Sequence, residues 1–207
     1  MADYTYDPVR RRYLTPNGKV VSLEVVRALR DRWADIQADV IRGFASNVET
    51  GVWSLAEFEV ATRAWLGETI GAGYQLGRGG SGMMSVDDAF ELARLISNQT
   101  RYMERLIADK QGNLISDAQF GVRAEMYAGA AIEAFEVGQA RSSGGLDLPC
   151  YPADGDTSCM MSCRCYWEIE DVGDAWEAYW VTVGDERVCP ECEERGQMYN
   201  PFVQVKG

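Results

Sequence analysis

The sequence predicts an α+β fold: an N-terminal bundle of about four long helices followed by a small C-terminal β-hairpin domain. Three observations carry this. A helical apolar period runs from residue 22 to about 140. Small flexible residues interrupt it at Arg141-Ser-Ser-Gly-Gly145. Two runs rich in aromatic and β-branched residues follow. The expected units are a polar arm over 1–21, a helical domain over 22–141 and a cysteine-rich domain over 146–207.

The arm is turn-like up to Pro16-Asn17-Gly18 and carries a basic cluster, Arg10-Arg11-Arg12. Three arginines flanked by tyrosines are expected to form a solvated arm, with nucleic acid or an acidic partner as the alternative contact.

Each helix is expected to open on a serine whose hydroxyl accepts from the free N–H groups of the first turn: Ser22, Ser54, Ser85 and Ser116. Ser54-Leu-Ala-Glu57 and Ser116-Asp-Ala-Gln119 are capping boxes, and Ser85-Val-Asp-Asp88 nearly matches. The serines are 32, 31 and 31 residues apart. One long helix fills most of each period, so the spacing reads as an up-and-down bundle rather than a helical-hairpin repeat. Val26, Leu29, Trp33, Ile36, Val40 and Phe44 mark the core face of the first helix. Leu92, Leu95, Ile96, Met103, Leu106 and Ile107 mark that of the third. Gly67, Gly71 and Gly73 fall inside the second helix, where each costs up to about 1 kcal/mol against alanine. They serve either close helix approach or a bend near Tyr74. The loop Gly77-Arg-Gly-Gly-Ser-Gly82 lacks the Gly-Lys-Ser/Thr ending of a phosphate loop and reads as a flexible connection.

Beyond the boundary, Tyr166–Glu170 and Tyr179–Val183 read as two strands, with Asp171 to Trp176 as their turn. A cysteine cluster abuts each strand. Cys159, Cys163 and Cys165 precede the first strand, and Cys189-Pro-Glu-Cys192 follows the second. The hairpin brings both clusters to one end. Soft thiolates gathered in this way suit a tetrahedral Zn2+ whose four ligands leave no open position. Such an ion is structural, and it supplies stability that a segment of about 57 residues lacks alone. The Cys189/Cys192 pair is the firmest half of the site, since Cys-x2-Cys with proline inside is expected to make a tight knuckle of a zinc-ribbon-like domain. Cys159 and Cys163 complete it, with Cys165 as the substitute for either. Cys150 is expected to be a buried small apolar residue. Three alternatives stand beside zinc: disulfides, a redox dithiol at Cys189/Cys192, and iron. A redox pair lacks its usual α/β setting, and the flanking Glu186, Glu191, Glu193 and Glu194 raise rather than lower a thiol pKa.

The 207 residues carry a formal net charge of −12 and 46% apolar side chains, enough for a core. Residues 151–207 hold 12 acidic and 4 basic groups, a balance that repels phosphate backbones and suits a basic protein surface. No stretch approaches the roughly 18 apolar residues of a membrane span. The opening Met1-Ala2-Asp3-Tyr4 lacks a signal-peptide pattern, so a reducing cytosol is expected, which favours metal ligation over disulfides.

The run from Leu148-Pro-Cys-Tyr-Pro through Cys159-Met-Met-Ser-Cys163-Arg-Cys165-Tyr-Trp167, together with Tyr179-Trp-Val-Thr-Val and Cys189-Pro-Glu-Cys192, resembles the cysteine-rich end of tailed-phage head morphogenesis proteins, the family of the phage Mu minor head protein. The N-terminal part is similar in Tyr13, the Gly-Lys-Val-Val-Ser22 lead into a helix, and Gly-Arg-Gly-Gly80 before another. The order of the two cysteine elements is the reverse of that in many members, the histidine common near them is absent, and the chain is short for the family. The resemblance implies a virion protein, made in the host cytoplasm and placed inside the capsid near the portal. Its expected partners are the portal and/or the major capsid protein, and its role is to aid head assembly or DNA packaging and delivery. The Arg10–Arg12 arm is then the candidate contact with packaged DNA. The alternative is a phage-encoded zinc-ribbon adaptor that binds and regulates a host or phage nucleic-acid enzyme. Catalysis is not expected. With no histidine in the chain, the commonest general base and the usual catalytic-zinc ligand are both missing. No small-molecule substrate is implied.

Overall fold

The computed structural model describes residues 4–7, 10, 12–80, 82, 84–143, 145–159, 163–184 and 188–206. Arg11 of the arginine cluster, Ser81 of the glycine loop, Gly144 of the boundary, Met160-Met161-Ser162 between the cysteines, and Glu186 lie outside them. The fold is α+β: a short antiparallel sheet, then the helices, then a second small antiparallel sheet beside a cysteine cluster.

Three of the four capping serines close full capping boxes, and Ser22 caps its helix with a single bond to the Val25 amide. Each such cap contributes about 1 kcal/mol. The helices they open are α1 (Leu23–Glu49), α2 (Leu55–Arg78), α3 (Val86–Gln111) and α4 (Asp117–Met126). The fourth period does not hold one long helix. A 3-10 turn at Tyr127–Gly129 separates α4 from α5 (Ala130–Ser142). Ala128 and Gly129 are buried in this turn, which packs against α1, and α5 then packs along α2.

α2 and α5 then meet backbone to backbone. A Cβ on Gly77 would lie 2.0 Å from the Phe135 carbonyl oxygen, and one on Gly73 would lie 2.4 Å from that of Ala131. From the other side, a Cβ on Gly138 would lie 2.4 Å from the Tyr74 oxygen. Gly73 therefore serves close approach rather than a bend. Around Gly67 and Gly71 a Cβ meets nothing within 4 Å. α2 runs on through Gly77 to Arg78 and ends at Gly79, whose φ of +90° is the left-handed conformation that glycine adopts freely.

The core face of α3 is as expected, with Leu95, Met103, Leu106 and Ile107 buried. That of α1 is not. Its buried positions are Val26, Arg30, Ala34, Gln37, Ile41 and Ala45, while Ile36 and Val40 are exposed. Distant partners explain the rotation. Gln37 Oε1 accepts from Trp65 Nε1 at 2.6 Å and from the Thr69 hydroxyl at 3.1 Å, and Arg30 pairs with Glu136 of α5.

The expected polar arm is a three-stranded antiparallel sheet: β1 (Thr5–Asp7), β2 (Arg12–Leu14) and β3 (Val20–Val21). Tyr6 and Tyr13 are buried with rings 5.1 Å apart. The Tyr13 hydroxyl donates to the Gly77 oxygen at 2.8 Å, and the Tyr6 amide donates to that of Gly79 at 3.1 Å. The segment is thus fastened to the end of α2 rather than solvated. Arg10 and Arg12 lie 3.6 and 3.9 Å from Asp7, which partly neutralises the basic cluster.

The second sheet comprises β4 (Tyr166–Asp171), β5 (Ala175–Val181) and β6 (Phe202–Val205), in the order β4-β5-β6. The expected hairpin is present with a shorter turn. Gly173 at φ +99° allows the chain to reverse between Asp171 and Ala175, so Trp176 belongs to β5. A helix, α6 (Pro190–Met198), and the third strand were not foreseen. This half shares a hydrophobic cluster with the bundle, in which Ala34, Ile132 and Ala140 join Trp167 and Trp180. Among the described residues, no helix is long and apolar enough to cross a membrane.

Two stability measurements follow. Gly77→Ala is expected to lose about 2–3 kcal/mol in urea denaturation through overpacking of the α2–α5 contact, whereas Gly67→Ala gains about 0.5–1 kcal/mol. Glu133 on α5 has its carboxyl raised to about 7 by burial, with Asp154 and Asp156 adding to the rise and Gln99 and Arg94 opposing it. Its folded pKa exceeds the ordinary value, so its contribution is full below about pH 4.5 and is lost as pH rises through about 7. Glu133→Gln should match the wild type near pH 4 and exceed it near pH 8 by roughly 2–3 kcal/mol in paired melts.

Candidate metal centre

Each cysteine of the cluster is placed by a different local device. Cys163 and Cys165 lie on the extended lead into β4, two residues apart and both 2% exposed. Cys159 precedes them in a loop, its Sγ 3.1 Å from the Thr157 hydroxyl. Cys189 is the N-cap of α6, Pro190 takes the first helical position, and Cys192 falls in the first turn. The Cys192 and Glu193 amides both donate to the Cys189 carbonyl, at 3.0 and 3.1 Å. The second pair is therefore borne on a helix N-terminus, not on the knuckle of a zinc ribbon. That N-terminus directs positive partial charge at the sulfurs.

The five sulfurs converge. Cys159, Cys189 and Cys192 have their Sγ atoms within 4.8 Å of one another, and so do Cys163, Cys165 and Cys192. Cys192 is common to both groups. The Sγ separations are 3.5 Å for Cys159–Cys189, 3.6 Å for Cys163–Cys192 and 3.7 Å for Cys159–Cys192. Four sulfurs held about 2.3 Å from one ion stand about 3.8 Å apart. The three edges lie close to that spacing and far beyond an S–S bond of roughly 2 Å, while Cys163 is grouped with Cys165 and Cys192 rather than with Cys159 and Cys189. All six cysteines are free. The cluster has the geometry to hold a metal ion, and its donors are soft.

Crowding and burial both oppose ionisation of these thiols in the absence of a cation. Cys159 is raised first by its contact with Cys163 and then by burial; Cys192 is raised by burial and then by Cys163. A bound divalent ion removes that penalty, because thiolates are its natural ligands. The sulfurs line a cavity of about 570 Å3 whose far wall is α1, through Asp31 and Asp35. Arg164, between Cys163 and Cys165, reaches across it to Asp35 at 2.7 Å and to Asp31 at 3.8 Å. The sequence reading had not singled out Arg164 as part of the site.

Cys150 stays outside the cluster. It is half-buried, packs on the aromatic cluster, and its carbonyl accepts from Trp167 Nε1 at 2.9 Å. Burial pushes its thiol up to about 11, so it is a protonated packing residue.

Because Cys192 belongs to both thiol groups, Cys192→Ser is expected to weaken metal binding by roughly two orders of magnitude more than Cys165→Ser. Competition titrations with a chromophoric chelator read this difference directly. No family model, no curated protein and no solved structure matches this chain.

Proposed function

We propose that the cysteine cluster holds one structural Zn2+ and that the chain is a non-enzymatic head morphogenesis protein of a tailed phage. The observation that supports the metal reading is the meeting of two thiol groups at Cys192, with three Sγ–Sγ edges of 3.5 to 3.7 Å that are close to those of a tetrahedral thiolate shell. Cys159, Cys163, Cys189 and Cys192 are the four ligands in this reading, and Cys165, whose Sγ lies within 4.8 Å of those of Cys163 and Cys192, is the substitute for either of the first two. The ion ties the lead into β4 to the first turn of α6 and so fixes the sheet that these elements flank. A shell filled by thiolates serves to staple, not to react.

The phage reading is supported by the Cys-Arg-Cys and Cys-Pro-Glu-Cys elements beside a tryptophan-bearing strand, and by the acidic balance of the C-terminal segment. In this reading the protein lies inside the capsid near the portal. Its acidic, aromatic sheet docks on a basic surface of the portal or major capsid protein. The Arg10–Arg12 segment is its candidate contact with packaged DNA.

Elemental analysis of protein purified without added metal should find one zinc per chain. Chelation should melt β4–β6 and α6 while leaving most of the bundle helicity. Mass spectrometry of purified procapsids and virions should find the chain, co-purifying with portal or capsid protein; its absence from both particles would refute the assembly role while leaving the zinc site standing.

A further inference from the structure

α1 turns the less apolar of its two neighbouring seams inward. The buried seam includes a guanidinium and a carboxamide, Arg30 and Gln37. The seam beside it, Leu29, Trp33, Ile36 and Val40, is apolar throughout. Leu29 and Trp33 are only half-buried, and Ile36 and Val40 are 45% and 36% exposed. A helix on a protein surface ordinarily shows the reverse, with its apolar stripe inward. The spacing of four, three and four residues is that of the a and d positions of a coiled coil, with Trp33 and Val40 at a and Leu29 and Ile36 at d.

Charge identifies the occupant. Arg32 and Asp39 each lie one residue before an a position, both at g, on one flank of the seam. Arg32 is exposed and has no hydrogen-bond or ion-pair partner among the described residues. Asp39 is 75% exposed and shares Arg42 with Glu125. In an antiparallel helix pair g faces g, so opposite charges seven residues apart are self-complementary. In a parallel pair they would instead face Gln37 and Phe44, neither of which is charged.

We propose that this face of α1 binds a second copy of the chain, forming an antiparallel two-fold dimer. Trp33 packs on Ile36 of the second copy, Leu29 packs on its Val40, and Arg32 of each copy meets Asp39 of the other. A two-fold axis makes every contact occur twice, so each complementary feature counts double.

Sedimentation equilibrium and light scattering of the zinc-loaded full chain test this. A dimer is expected. Ile36→Asp, at a position that bears no core, should keep the far-ultraviolet circular dichroism and raise Kd at least about a hundredfold. Arg32→Asp or Asp39→Arg alone should raise Kd about tenfold, and the double reversal should restore it. A wild type that stays monomeric, or a dimer indifferent to Ile36→Asp, overturns the proposal. A dimer broken by Ile36→Asp that the double reversal fails to restore overturns the antiparallel arrangement.

Discussion

Glu136 is 1% exposed, and its two carboxylate oxygens serve different halves of the chain. One takes Arg30 of α1, itself 2% exposed; the other accepts from the Trp167 amide of β4 at 3.1 Å. A lone carboxylate at this depth would cost several kcal/mol, and so would a lone guanidinium. Burial pushes the Glu136 carboxyl up, while Arg30, Arg27 and the Trp167 amide pull it back. Arg27 completes the junction by donating to the Trp167 carbonyl at 2.7 Å and lying over the Tyr166 ring at 3.7 Å. The outer edge of β4 would otherwise offer unpaired backbone groups to any passing strand. Here the helices close it with side chains.

The same ionic chain runs on to the thiols. Arg30 also bonds Asp31 at 2.8 Å, Asp31 lies 3.8 Å from Arg164, and Arg164 separates Cys163 from Cys165. Helix α1 therefore grips the cysteine strand at two points, one on either side of Cys165. The aromatic cluster of Trp167, Trp180 and Tyr199 fills the space beneath, with Trp180 edge-on to Trp167 at 5.3 Å. The sulfur cluster is thus supported from the bundle side by charge and from the sheet side by apolar packing.

What the sequence revealed follows the range of the forces involved. Capping serines act within four residues, so Ser22, Ser54, Ser85 and Ser116 are legible in the chain itself. The inward seam of α1 is set by Trp65, Thr69 and Glu136, which are 28 to 106 residues away. Nothing local marks Arg30 and Gln37 as buried, so the more apolar seam is the natural but wrong choice. The N-terminal strands are two or three residues long, too short for an alternating pattern to show. Cys-Pro-Glu-Cys was legible as a pair of converging thiols. Its proline at the first helical position was a start signal for α6 that the reading as a knuckle passed over. The five thiols were evident from spacing, but the central place of Cys192 among them needed coordinates.

The glycine contact between α2 and α5 has a bearing on how this fold can diverge. Where backbone touches backbone, the crossing of two helices is set by main-chain shape and owes nothing to side-chain identity. Substitution elsewhere along either helix leaves that angle intact, while Gly73, Gly77 and Gly138 hold it. The crossing of α2 and α5 is inherited through three side chains that are not there.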